Sequence, residues 1–304
     1  MKDMKYFEKK IGSNGAYAKY YLQEPNEEID SHRLYPTIVI CPGGAYLWTS
    51  YREDEPIALR FLAEGFHVIV VHYATEGLAF YANMKQAQYK KNPVSLFPNS
   101  LVELAKAISY LREHAETYAV NVDDITVGGF SAGGHLASLL GVYWHEKWLE
   151  KLVGKPKEIY RPNKLLLAYP AIDLTPQVQE DSPSAVLLAV TGSVEPNLEK
   201  LNQLNSIIHV SEKTPPTFLW HTNEDELVPA GNTMKFGAKL MEYGVPVEIH
   251  LFTKGKHGLG LGNFASGRKQ DQTNAQVAKW IDLFLEWARP IKTTVGSFYK
   301  GIEE

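Results

Sequence analysis

The sequence has few of the features that mark secreted, membrane-spanning or nucleic-acid-binding proteins. Its 304 residues include one cysteine, Cys41, so no disulfide can form within the chain, and a reducing, cytoplasmic location is expected. No apolar run approaches the roughly 18 residues of a membrane span, and the charged first fifteen residues do not resemble a signal peptide. Basic residues number 31 against 35 acidic ones, which gives no electrostatic basis for binding nucleic acid or an anionic membrane.

What the sequence does contain is a regular alternation of short β-branched runs and longer amphipathic patterns. Several runs are apolar at nearly every position, as in strands that are buried on both faces of a parallel sheet. The predicted strands cover residues 36–42, 67–73, 125–130, 164–170, 217–222 and 247–252. The predicted helices cover residues 54–65, 100–116, 232–244 and 274–288. This order predicts an α/β fold with a doubly wound, mostly parallel sheet flanked by helices.

Local signals add three expectations to this outline. Residues 5–24 suit a leading antiparallel pair at one edge of the sheet, and Ser100 followed by Glu103 predicts a capping box on the helix that begins there. Two long segments, 74–99 and 171–213, interrupt the alternation and are candidate covers over a site, although plain surface excursions would look the same. Because no linker divides the chain, residues 1–304 are expected to form one domain.

Residues 129–133 read GFSAG, which is the pattern G-x-S-x-G between a predicted strand and a predicted helix. Small residues on both sides let the backbone turn sharply, which lifts the Ser131 hydroxyl to the carboxyl edge of the sheet. Such a serine suits nucleophilic catalysis. An ordinary glycine-rich turn with a serine N-cap would show the same five residues, so the interpretation depends on partner residues elsewhere.

Partner residues of the required types follow two later strands. A serine nucleophile needs a base, and the base needs an orienting carboxylate. Asp225 comes after the strand at 217–222 and His257 after the strand at 247–252, in the order serine, acid, histidine that this architecture uses. Asp173, after the strand at 164–170, is an alternative acid, but role and position favour Asp225.

A tetrahedral intermediate also needs backbone N–H donors for its oxyanion. Pro42-Gly43-Gly44-Ala45 directly follows the first long strand, and its small residues would let N–H groups approach a substrate oxygen. The N–H of Ala132, next to the nucleophile, would supply another donor. A plain turn is the alternative for this glycine pair.

Taken together, these residues resemble the α/β-hydrolase fold. More narrowly, they resemble the esterase branch related to acetyl esterases, acetylxylan and feruloyl esterases, and the catalytic domain of prolyl oligopeptidases. The matching stretches lie within residues 36–262 and read CPGGAY followed by YREDEP, DDITVGGFSAGGHLA, LLLAYPAIDL, TPPTFLWHTNEDELVP and GKHGLG.

The resemblance implies a role for each motif residue: nucleophile Ser131, acid Asp225, base His257, and oxyanion donors Gly44, Ala45 and Ala132. The chain departs from hormone-sensitive-lipase-like relatives, which have His-Gly-Gly-Gly where this sequence has PGGA at 42–45. Whether Gly44 or Ala45 gives the second donor therefore stays open.

The expected function is that of a serine carboxylic ester hydrolase acting on small acyl esters, such as acetyl or feruloyl esters of sugars or xylan fragments. A small peptidase and a catalytically idle binding module are the alternatives. Aromatic side chains near the expected mouth could contact substrate or simply pack, namely Tyr46, Trp48, Phe80 and Tyr81. The expected partner is a small ester, without a cofactor or metal and without nucleic acid or membrane. A homo-oligomer is compatible with the sequence.

Overall fold

Eight strands form one sheet in the computed structural model, which describes residues 4–80, 92–177 and 184–289. The strands are β1 (Lys5–Lys10), β2 (Tyr17–Leu22), β3 (Tyr35–Cys41), β4 (His67–His72), β5 (Val120–Phe130), β6 (Lys164–Ala168), β7 (Thr217–Thr222) and β8 (Val247–Phe252). Their order across the sheet is β1-β2-β4-β3-β5-β6-β7-β8. β1 and β2 pair antiparallel at one edge, and the neighbours from β4 to β8 are all parallel. The predicted sheet, including its antiparallel edge, is confirmed.

Helices cover both faces of this sheet. Within the described ranges they are α1 (Glu55–Ala63), α2 (Asn99–Glu113), α3 (Ala115–Tyr118), α4 (Ala132–Tyr143), α5 (Lys147–Val153), α6 (Lys157–Tyr160), α7 (Ala185–Thr191), α8 (Leu198–Leu204), α9 (Gly231–Glu242) and α10 (Trp280–Ala288). One apolar core lies between the sheet and α2, α4 and α9, and a second lies between the opposite face and α1 and α10. β3 and β4 are buried along nearly their whole length because apolar cores cover both faces.

The predicted capping box is wrong. α2 begins at Asn99 with Pro98 in the N-cap position, and the buried Ser100 hydroxyl has no hydrogen-bond partner among the described residues. The Glu103 carboxylate accepts a hydrogen bond from the backbone N–H of Ala74 at 2.9 Å. The Glu103 side chain therefore bonds to the segment after β4, and not to the N-terminus of α2 as the local pattern predicted.

The two candidate cover segments are described only in part, because residues 81–91 and 178–183 lie outside the described ranges. The described parts touch each other: the Phe97 N–H donates to the Val190 carbonyl of α7 at 2.9 Å. The first segment also touches the loop after β3, where the Glu76 N–H donates to the Tyr46 carbonyl at 3.0 Å. Whether either segment moves, and whether the chain is one domain, stay predictions. No helix within the described ranges is long and apolar enough to cross a membrane.

Candidate active site

The turn between β5 and α4 is sharp, and its glycines are sterically required. A Cβ atom on Gly129 would collide with the Gly133 carbonyl, and one on Gly133 would collide with the Cys41 carbonyl. Ser131 itself has φ +53° and ψ −118°, a strained conformation for a residue with a side chain. The turn holds the serine at the carboxyl edge of the sheet, as the G-x-S-x-G pattern predicts.

Three predicted site residues from three different loops meet at this edge. His257 Nε2 lies 2.7 Å from Ser131 Oγ, although the two residues are 126 positions apart in the chain. On the other side of the imidazole, His257 Nδ1 lies 2.6 Å from Asp225 Oδ2. The distances suit a hydroxyl that donates to Nε2 and an Nδ1–H that donates to the carboxylate.

Asp225 is buried and fully used as a hydrogen-bond acceptor. Its Oδ1 accepts from the backbone N–H groups of Leu227 at 3.0 Å and Val228 at 2.9 Å, and its Oδ2 lies 3.2 Å from His221 Nε2. Burial alone would raise the pKa of Asp225, but hydrogen bonds from His221, His257 and Val228 hold this pKa well below the ordinary range of an aspartate. The carboxylate is therefore ionised behind the imidazole.

The side chain of the alternative acid, Asp173, forms a hydrogen bond within its own loop. Its Oδ1 accepts from the Thr175 N–H at 3.0 Å, and its backbone N–H donates to Asn232 Oδ1 at 2.8 Å. In the described part of the chain it makes no hydrogen bond or ion pair with His257, whereas Asp225 does. The geometry thus brings Asp225, and not Asp173, to the imidazole.

The loop after β3 approaches the serine with an unusual backbone. Gly44, Ala45 and Tyr46 have φ values of +127°, +57° and +60° in succession. Ala45, Ser131 and Ala132 line one cavity together, so two of the predicted oxyanion donors share this lining with the serine. The Gly43 N–H is already committed, because it donates to Glu53 Oε2 at 2.8 Å.

The cavity at the serine is small, about 90 Å³, and mostly apolar. Its walls include Ala171, Leu174 and Val186 from the 171–213 segment, and Tyr46 lies on another side. No described residue of the 74–99 segment is part of this lining. The cover that borders the cavity, as far as the structure describes it, is the second segment.

Of the three predicted substrate-contacting aromatics that the structure describes, Tyr46 alone is found in the cavity lining. Trp48 is 43% exposed but lies outside that lining, and Phe80 is 5% exposed and packs into the core. Phe80 belongs to the same core cluster as Tyr46, and the contact of Trp48 and Phe80 with substrate stays a prediction. Tyr81 lies outside the described residues.

Tyr46 belongs to a second hydroxyl–imidazole pair beside the cavity. Its Oη lies 2.8 Å from His135 Nδ1, and His135 Nε2 lies 2.7 Å from the Leu204 carbonyl. Since Nε2–H must donate to that carbonyl, Nδ1 accepts from the tyrosine, and the ring is neutral. Burial lowers the pKa of His135 to about 4 despite the hydrogen bond to Leu204. The sequence indicates a packed helix residue at His135 but gives no sign of this pair.

Sequence reasoning also missed a buried polar pair under the site, Glu53 and Tyr169. Both side chains are at most 4% exposed, and they are joined by a 2.6 Å hydrogen bond. Both lie in stretches that carry the family resemblance, YREDEP and LLLAYPAIDL, but a glutamate among charged neighbours looks like a surface residue. Within the described ranges no cluster of three or more His, Cys, Asp or Glu side chains could hold a metal ion.

Comparison with known proteins agrees with this geometry. The family model BD-FAE matches residues 23–240, which is most of the chain. The chain belongs to the BD-FAE family. The carboxylesterase Cest-2923 from Lactobacillus plantarum WCFS1 has a similar structure, with a TM-score of 0.78 and 26% identity over 93% of this chain and 96% of that one. The predicted kinship with esterases of the α/β-hydrolase fold is confirmed.

Two curated relatives carry names from xylan degradation. The chain is 29% identical to endo-1,4-beta-xylanase B of Butyrivibrio fibrisolvens over 76% of its own length, and 26% identical to an acetylxylan esterase of Xylanibacter ruminicola over 59%. In both cases the match spans 34% of the relative. The chain thus corresponds to about a third of each of these larger proteins.

Proposed function

We propose that this protein is a serine carboxylesterase that hydrolyses small acyl esters. The observation that carries the proposal is the chain of contacts from Ser131 through His257 to Asp225, at 2.7 and 2.6 Å, beside a small apolar cavity. The names of its relatives, which include a carboxylesterase and an acetylxylan esterase, support the same reaction.

In the proposed reaction, Ser131 Oγ attacks the ester carbonyl carbon while its proton moves to His257 Nε2. The carbonyl oxygen becomes an oxyanion, which the backbone N–H groups of Ala132 and of Ala45 or Gly44 would stabilise. The intermediate collapses to an acyl-enzyme, and the leaving alcohol takes the proton from His257. Water then attacks the acyl carbon with the same base, which releases the acid and restores Ser131. Asp225 holds the imidazole in the required tautomer and stabilises its charge.

For the substrate class we propose acetyl and other short acyl esters, including those carried by sugars or xylan fragments. The support is the small apolar cavity for the acyl group and the two relatives named for xylan-degrading activities. A cytoplasmic location is part of this proposal, and the buried lone thiol of Cys41 is compatible with it.

Replacement of the serine is the direct test. Ser131→Ala should fold normally and lose about 10⁴- to 10⁶-fold in kcat on p-nitrophenyl acetate, because members of such a triad act as a unit. Ser109→Ala is a control for the loss of a serine hydroxyl elsewhere, since Ser109 is buried and, among the described residues, its hydroxyl donates to the Ala105 carbonyl of its own helix. A phosphonate inhibitor should label the wild type at Ser131. A Ser131→Ala variant with a tenth of wild-type activity, or an unlabelled serine, would refute the proposal.

A further inference from the structure

Glu53 is a buried carboxylate that lies directly beneath the loop after β3. It ends a single 3-10 turn, Tyr51–Glu53, and its side chain is 4% exposed. Its Oε2 accepts a hydrogen bond from the Gly43 N–H at 2.8 Å. A Cβ atom at Gly43 would lie 2.7 Å from that oxygen and 3.0 Å from Ser131 Cβ, so a larger residue at position 43 would force the carboxylate or its surroundings to shift. Glu53 is thus packed between the predicted oxyanion turn and the serine turn.

The other carboxylate oxygen connects to the loop that carries His257. Tyr169 Oη donates to Glu53 Oε1 at 2.6 Å and accepts from the Gly260 N–H at 3.0 Å. The edge of the Tyr169 ring also packs on His257, with ring centroids 5.0 Å apart. Tyr169 has φ +37°, a conformation that a bulky residue adopts only where its surroundings impose it.

These bonds form one continuous path with a defined polarity. Gly260 N–H donates to Tyr169, Tyr169 donates to Glu53, and Gly43 N–H donates to the second oxygen of Glu53. Because both carboxylate oxygens accept, the ionised form suits the site. Burial raises the pKa of Glu53, and the bonds from Tyr169 and Gly43, with His257 and Arg52 nearby, oppose that rise. The titratable and charged groups that face the carboxylate are Tyr169, His257 and Arg52, and Asp225 faces His257 from the other side.

We propose that Glu53, acting through Tyr169, is a positioning residue that fixes the oxyanion turn (residues 42–46) relative to the histidine loop (residues 253–262). The inference rests on the proposed esterase function, because only a reaction that uses both loops requires them to keep a fixed relative position. The oxyanion donors bind the carbonyl oxygen while the base takes the proton of the serine that attacks the same carbonyl carbon, so the relative position of donors and base sets the rate. The negative charge of Glu53 also favours the imidazolium that forms during each step.

Tyr169→Phe tests the mechanical link, because it removes one hydroxyl and leaves the ring. kcat on p-nitrophenyl acetate should fall about 10- to 100-fold, with KM changed by less than about threefold, because misplaced groups weaken the transition state more than binding. Tyr160→Phe is the matched control, since Tyr160 is fully buried and its hydroxyl has no hydrogen-bond partner in the part of the chain that the structure describes. That variant should keep kcat within about twofold of wild type.

Glu53→Gln tests the charge. Removal of a carboxylate near His257 should shift the acid limb of kcat/KM to lower pH, and Glu53→Asp, which keeps the charge, should restore the position of that limb. Glu103→Gln is the control, since Glu103 is likewise buried and accepts from one backbone N–H, that of Ala74. Its acid limb should coincide with that of wild type.

Amide hydrogen exchange separates this inference from the proposed function. Tyr169→Phe should speed exchange at Gly260, and Glu53→Gln should speed it at Gly43, whether or not the protein hydrolyses esters. Unchanged exchange and kcat in Tyr169→Phe would overturn the inference even with Ser131→Ala inactive. If Glu53→Gln does not fold, Tyr169→Phe decides the question alone. An inactive wild type with faster exchange in both variants would refute the esterase proposal but keep the link between the loops.

Discussion

Two hydroxyl–imidazole pairs contribute to the lining of one cavity, the first through Ser131 and the second through Tyr46 and His135, and they differ in the group that lies behind the ring. In the first, Ser131 Oγ lies 2.7 Å from His257; in the second, Tyr46 Oη lies 2.8 Å from His135. Behind His257 is the ionised carboxylate of Asp225, at 2.6 Å. Behind His135 is the neutral carbonyl of Leu204, at 2.7 Å.

The difference decides what each ring can do chemically. A carboxylate stabilises an imidazolium, so the ring in front of it can take and return a proton. A carbonyl accepts the one N–H of a neutral ring but compensates little of the cost of charging it inside the protein. Burial accordingly lowers the pKa of His135 to about 4, and this ring stays neutral at physiological pH. His135 is one helical turn from the serine and lines the same cavity, but a ring held neutral in this way is poorly suited to take a proton.

The largest expected difference comes from the same substitution in both pairs. Glutamine can accept through its oxygen and donate through its amide, as a neutral imidazole does, but it cannot take a proton. His257→Gln should therefore lower kcat on p-nitrophenyl acetate by about 10⁴- to 10⁶-fold, whereas His135→Gln should lower it by less than about tenfold. Steady-state assays of the two variants, with folding checked by circular dichroism, make the comparison. Losses of kcat of equal size would mean that the two rings are not distinguished by the group behind them, carboxylate or carbonyl.

The next effect concerns the carboxylate that lies behind the His257 ring. Asp225→Asn should offer His257 an amide where it now has a carboxylate, which favours the wrong tautomer and lowers kcat by about 10⁴-fold. Asp173→Asn should change kcat by less than about tenfold, because Asp173 caps its own loop at Thr175. The two variants are assayed side by side on one ester. The reverse ranking would transfer the orienting role to Asp173.

The parts of this site that the sequence predicted are those set by local geometry and chain order. Gly129 and Gly133 identify the serine turn in the sequence because no side chain fits at these positions. Asp225 and His257 could be expected near Ser131 because the carboxyl ends of parallel strands meet at one edge of the sheet. Their proximity is now observed, and their catalytic roles stay predictions until the variants are assayed.

The parts that the sequence did not predict depend on distant contacts. Glu53 bonds to Tyr169, 116 residues away, and to the Gly43 N–H, and neither contact can be read from its neighbours in the sequence. Glu103 has the spacing of a capping box, but its carboxylate accepts a hydrogen bond from the Ala74 N–H instead.

Acid should affect the second pair through stability. The pKa of His135 is lowered to about 4 in the folded protein, against about 6.5 when unfolded, so the unfolded state takes up the proton first. Stability should be complete above pH 6.5 and decline as the pH falls towards 4, by at most about 3 kcal/mol from this group. His67, whose pKa burial also lowers to about 4, should act in the same direction. Urea unfolding of wild type and His135→Gln from pH 7 to 4 measures how much of the acid-induced loss of stability comes from His135. Free energies of unfolding that fall with the same slope in both proteins would contradict the prediction.

The smallest effect concerns the wall that the second pair supports. Tyr46 and Val186 border a cavity of about 90 Å³ at Ser131, so acetyl to butyryl esters should exceed decanoyl esters in kcat/KM. Each methylene that cannot be buried forgoes about 0.8 kcal/mol, or about fourfold. Val186→Ala should raise the relative rate on hexanoyl esters by about that factor, while Val102→Ala, in the half-buried face of α2 and outside the cavity lining, should not. Kinetics on p-nitrophenyl esters of rising chain length provide the measurement. A wild type that already prefers decanoyl esters would show that this wall does not limit the acyl chain, and would shift the proposed activity from esterase towards lipase.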